Sequence, residues 1–180
     1  MDSSDEDQRA PHRLTPNKPC CARELAALGV LYWRLDEAKF DAGDPRLEAI
    51  KKVRGYSYSD LIEVSPATLS GYEEKIKCFY EEHIHSDEEI RYVLAGSGYF
   101  DIRSRDDTWV RMWTKAGDLI ILPAGSYHRF TLDEGNYVKA LRLFVGEPVW
   151  TPINRGPEAD DHPSRTQYLR GIADCPRCHG

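Results

Sequence analysis

Two short stretches of this 180-residue chain contain the side chains that could hold a metal ion. In the first, EEHIHSDEE from Glu81 to Glu89, His83 and His85 stand two apart among acidic residues. Alternate residues of a strand face the same side, so an extended backbone points both imidazoles one way. Glu89 returns to that face after a small bulge or turn, and Arg91 follows at strand parity. The second stretch, GDLIILPAGSYH, uses Gly117 and a Pro123-Ala124-Gly125 turn to deliver His128 from a neighbouring strand. Three neutral imidazoles and one carboxylate make a mixed N/O site suited to Fe(II), Ni(II) or Mn(II). A six-coordinate ion held this way keeps two adjacent positions open, as catalysis requires. A His-x-His pair by itself is more often a surface or core feature than a ligand pair. The metal reading rests on turn residues and ligands agreeing in order across both stretches.

The elements that must position these residues can be read from pattern. Residues 1–19 are polar, contain Pro11, Pro16 and Pro19, and read as a flexible or strap-like lead-in. Helix formers from Ala22 stop at Gly29, and the apolar run Val30 to Trp33 reads as a strand. Asp44-Pro45 opens a second helix, with Asp as N-cap and Pro at the first helical position, ending before Gly55. Short helices are also expected at Ser59 to Val64 and at Tyr72 to Phe79, so all the helical signal lies before residue 80. Beyond it, IRYVLAGSGYFDIR reads as a hairpin turning at Gly96-Ser97-Gly98. Short strand-like runs split by Gly, Pro, Asn and Asp continue to about Gly146, as in an all-β barrel or sandwich. The text after Gly146 reads as an irregular tail docked by Trp150. The pattern predicts one β-barrel domain behind a helical N-terminal layer.

Composition narrows the function classes. The net charge is −6 and the pI about 5.5, so no overall basic field attracts nucleic acid or an anionic membrane surface. No apolar run approaches the roughly 20 residues of a membrane span, and the acidic start lacks the apolar core of a secretory signal. Five cysteines, an odd number, argue against a secreted disulfide scaffold. The expectation is an intracellular, cytoplasmic protein without nucleic-acid partners or membrane insertion.

Family resemblance sharpens this. His83-Ile84-His85, Glu89 and Gly96 match the first cupin motif, and Gly117, Pro123, Gly125 and His128 match the second. Leu132 stands where many cupins have Asn, which is not a ligand position. The longer blocks EEKIKCFYEEHIHSDEEIRYVLAGSGYFDIR, LPAGSYHRFTLD and ALRLFVGEPVW resemble acireductone dioxygenases of the eukaryotic type, from about Gly29 to about Tyr168. The resemblance implies a mainly β fold: a single cupin-type β-barrel (double-stranded β-helix or jelly roll) with a few N-terminal helices. It implies a domain over 20–168 between the lead-in and a flexible tail at 169–180. It implies a methionine-salvage dioxygenase acting with O2 on 1,2-dihydroxy-3-keto-5-methylthiopentene, the acireductone. The Fe(II) form yields formate and 2-keto-4-methylthiobutyrate, and the Ni(II) form yields formate, CO and methylthiopropionate. One Fe(II) or Ni(II) per chain is expected on His83, His85, Glu89 and His128, in a monomer, with the nucleus as a second location to consider.

Around those ligands, Arg91 is expected to pair with the enediolate charge, against the alternative of an internal salt bridge to Glu89 or Asp101. Glu82 is a candidate base, although a regular strand points it away from His83. Phe100 and Phe130 are expected to wall the methylthio tail, or simply to fill core. Two further motifs carry less. Cys175-x-x-Cys178-His179 has the pattern of haem attachment but no supporting context, and Gly96-x-Gly98 lacks the third glycine of a nucleotide loop. The rival functions are another cupin dioxygenase or isomerase, and a non-catalytic cupin that binds a partner.

Overall fold

A 15-residue strand, β4 (Glu89–Arg103), organises the whole molecule. The computed structural model describes residues 1–173 except 3, 5 and 150, so the docking expected of Trp150 and the Cys175-x-x-Cys178-His179 motif lie outside the described residues. The first half of β4 pairs antiparallel with β6 (Asp118–Leu122) and β8 (Val138–Phe144); the second half pairs with β5 (Trp109–Lys115) and β7 (His128–Leu132). β1 (Leu31–Arg34) extends the first side through β6, and β2 (Tyr58–Val64) through β8. β3 (His83–Ile84) and β9 (Ile153–Asn154) extend the other side beyond β7. The fold is mainly β and antiparallel, as expected. Its hydrogen-bonded path runs β1-β6-β4-β7-β3-β9 without closing, which is consistent with the expected jelly roll.

The helices cover the strands. α1 (Ala22–Ala27) ends just before Gly29, and α2 (Pro45–Arg54) is capped by the Asp44 carboxylate on Arg46 N at 2.8 Å and by Gly55 at φ 74°. α3 (Tyr72–Tyr80) stands where the pattern predicts it. Leu47 of α2 belongs to one buried core with Ile90, Tyr92, Leu119, Ile121, Leu141 and Leu143. The opposite parity of the same sheet contributes Ile120 and Leu122 to a second core with Phe100, Ile102 and Met112. Each large apolar side chain so buried contributes about 1.5–3 kcal/mol.

Three expectations are corrected. Ser59 to Val64 is a strand, not a helix: β-branched Ile62 and Val64 turn inward at period two, and all seven residues of β2 pair with β8. Gly96 does not turn a hairpin; it sits at φ 69° just after a register shift between Val93 and Ala95, and the strand runs on. Finally, the residues after Gly146 are partly helical. Pro157 and Pro163 each occupy the first position of a helix, α4 (Pro157–Asp160) and α5 (Pro163–Ala173), where a missing N–H costs nothing. Tyr168 anchors α5 by donating to Leu28 O at 3.1 Å.

Candidate metal centre

His83 on β3 stands directly opposite His128 on β7 in the ladder. His85 lies just past the end of β3, yet Gly125 N donates to its carbonyl at 3.0 Å and keeps that segment against the turn. Gly125 is required there: at φ 73°, a Cβ would meet Ser164 O at 2.2 Å. Glu89 opens β4. These elements bring one donor atom from each of His83, His85, Glu89 and His128 within 4.8 Å of one another.

Donor chemistry fits a divalent ion. Nδ1 of His83 lies 2.6 Å from Glu81 O, and Nδ1 of His128 lies 2.8 Å from Ser126 O. A carbonyl can only accept, so each Nδ1 carries the proton and each Nε2 lone pair is left for a metal. Burial, reinforced by neighbouring His128, pushes His83 down to about 3 and keeps it neutral. Burial would raise Glu89, but the Arg91 charge, with the close imidazoles of His128 and His85, outweighs it and holds the carboxyl well below its usual range. Glu89 Oε2 is 3.1 Å from His85 Nε2 and 3.3 Å from His128 Nε2. The group therefore offers three imidazole nitrogens and one carboxylate oxygen, the donor set expected from the sequence.

Residues 1–152 match the family model of the ARD/ARD' family. The chain belongs to that family. Relatives within it include acireductone dioxygenase 1 of Physcomitrium patens, 62% identical over 172 residues that cover 96% of this chain and 87% of the relative. The acireductone dioxygenase of Gallus gallus is 58% identical over 174 residues, 97% of this chain and 95% of its own. Among solved structures, an acireductone dioxygenase from Bacillus anthracis with a cadmium ion in its active centre superposes with a TM-score of 0.64 at 29% identity, over 72% of this chain and 85% of that one. A family member with a metal in its active centre agrees with the donor set seen here.

The other expected residues of this family member fall in different places. Arg91 reaches the ligands: its Nη2 is 3.3 Å from Glu89 Oε1, and Nη1 donates to Ile90 O at 2.9 Å. The internal salt bridge to Glu89 thus exists, whereas Asp101 is taken by Arg111 and Arg129. Phe100 and Phe130 are cross-strand partners with ring centroids 4.7 Å apart, and share the parity of Ile102 and His128. Glu82 turns as strand parity expects: its carboxylate lies between Arg103 and Arg155 at 2.8 Å from each, on the face away from His83. Phe79 of α3 is a residue the sequence reading missed: it meets Phe130 edge-on at 6.4 Å. Its spacing from Ile76, one helical turn earlier, is the signal that could have marked it.

Proposed function

We propose that this chain is a metal-dependent dioxygenase that cleaves acireductone with O2. The observation that carries the reading is the convergence of His83, His85, Glu89 and His128 in a chain of this family. One Fe(II) or Ni(II), when bound, supplies Lewis acidity and open positions for the substrate's oxygens. The protein's own groups do the rest. Glu81 O and Ser126 O hold the histidine protons away from the ligand face. Arg91, already beside the Glu89 carboxylate, balances the negative charge of the enediolate. Phe100, Phe130 and Phe79 present an apolar wall to the methylthio tail and keep water from it.

Enzymatically generated acireductone, supplied aerobically to protein reconstituted separately with Fe(II) and Ni(II), tests this. Substrate loss is expected with both ions, with CO released by the Ni(II) form and the 2-keto acid formed by the Fe(II) form. The reading fails if neither ion supports turnover while His128→Ala leaves metal content unchanged.

A further inference from the structure

β3 is only two residues long, with one ladder partner in β7 and two in β9. Such a strand cannot by itself fix a ligand's direction. Next to His83, Glu82 faces away from the metal group and commits both carboxylate oxygens to arginines. Oε1 accepts from Arg103 Nε at 2.9 Å and from Arg155 Nη1 at 2.8 Å; Oε2 accepts from Arg103 Nη2 at 2.8 Å. The backbone repeats the link to Arg155, whose N donates to Glu82 O at 2.9 Å, while Arg103 N is held separately by Tyr127 O at 2.9 Å. The arginines are themselves held. Asp107 takes both Arg155 Nη atoms at 2.9 Å, and the Arg103 guanidinium lies 3.8 Å over the Trp109 ring.

The peptide joining Glu81 to Glu82 is the one whose carbonyl accepts the His83 Nδ1 proton. Anything that fixes Glu82 therefore fixes the group that sets the His83 tautomer and ring direction. We propose that Glu82 is a positioning residue for the metal centre: clamped by Arg103 and Arg155, it immobilises the 81–82 peptide and so aims His83 Nε2 at the ion. This inference rests on the metal centre described above.

The test uses the full chain with Co(II) alone as probe. The dissociation constant comes from competition with a chelator, and the visible absorption of bound Co(II) reports the ligand field. Outer partners of a ligand typically control metal affinity by 10–100-fold, so Glu82→Gln is expected to weaken Co(II) binding by about that factor and to alter the spectrum. Arg155→Met should shift both readouts the same way by less. Asp107→Asn, which weakens the ion pairs of Asp107 with Arg155 and Arg103 but leaves both arginines on Glu82, should shift both readouts less than Glu82→Gln does. Wild-type affinity and spectrum in Glu82→Gln overturn the positioning role, and loss of turnover in that same protein would mark Glu82 as a base instead. If Glu82→Gln does not fold, Arg155→Met decides: unchanged Co(II) affinity overturns the role. A wild-type chain that fails to bind Co(II) overturns the metal centre, and the positioning role with it.

Discussion

Arg91 has two partners to satisfy, the Glu89 carboxylate it already touches and the substrate anion it is proposed to meet. Its guanidinium is mostly buried, and Glu89 beside it is buried too, so each charge leans on the other. Arg91→Met should therefore destabilise the metal-free protein, by up to about 3 kcal/mol, because an uncompensated carboxylate is left in the interior. With Fe(II) loaded, the same substitution should raise KM for acireductone more than it lowers kcat, since the enediolate charge is present before and during reaction. Denaturant titration of the metal-free protein and steady-state kinetics check the two halves separately. The ligands themselves were legible as residues. His-x-His, a carboxylate and a histidine after a Pro-Ala-Gly turn are local patterns that need only period-two geometry to be read. Glu82 was half legible: parity turned it away from His83, but nothing near it in sequence names Arg103 or Arg155.

At the level of elements, the bend in β4 decides where the centre forms. Glu89 and Arg91 belong to the half paired with β6 and β8, whereas Phe100 and Ile102 belong to the half paired with β5 and β7. Gly96 makes the passage possible: it sits at φ 69°, and a Cβ would lie 2.1 Å from Tyr137 O. Gly96→Ala should cost at least the roughly 1–3 kcal/mol of a strained backbone, with more from the clash. Thermal unfolding would show this as a lowered Tm, and an unchanged Tm would remove Gly96 from this role. Gly96-Ser97-Gly98 fits a hairpin turn as well as a bulge, because both draw on the same residue. Only the partner strands distinguish them. The same holds for β2, whose short apolar run fits a helix or a strand until β8 lies beside it.

Across the whole molecule, the sheet half built on β5, β7 and the end of β4 has two differently used faces. One carries Phe100, Ile102, His128 and Phe130; the other carries Asp101, Arg111 and Arg129. Asp101 is buried between the two arginines, with contacts of 2.7–2.9 Å. The N-terminal residues cross this second face. Arg111 Nη1 donates to Gln8 O at 3.0 Å and to Ala10 O at 2.6 Å, and the Met1 amino group donates to Trp109 O at 2.8 Å. Removing residues 1–12 should open the ion network to water and lower stability by about 1.5–3 kcal/mol for each charged hydrogen bond lost. Metal content should not change, because the network and the ligands lie on opposite faces. Denaturation together with metal analysis of the shortened chain tests both statements. Equal stability of the two forms would show the strap to be incidental.

The sequence by itself determined the donor set and most of the strands and early helices. These depend on residue identity, caps and short periodicities, all of which act within a few positions along the chain. Tertiary structure alone decided that β4 runs unbroken through both halves of the sheet, that Pro157 and Pro163 begin helices, and that Glu82 turns to Arg103 and Arg155. Each of those outcomes depends on which distant segments become neighbours. Ladder register and cross-sheet ion pairing set that choice, and neither leaves a local mark in the order of the residues.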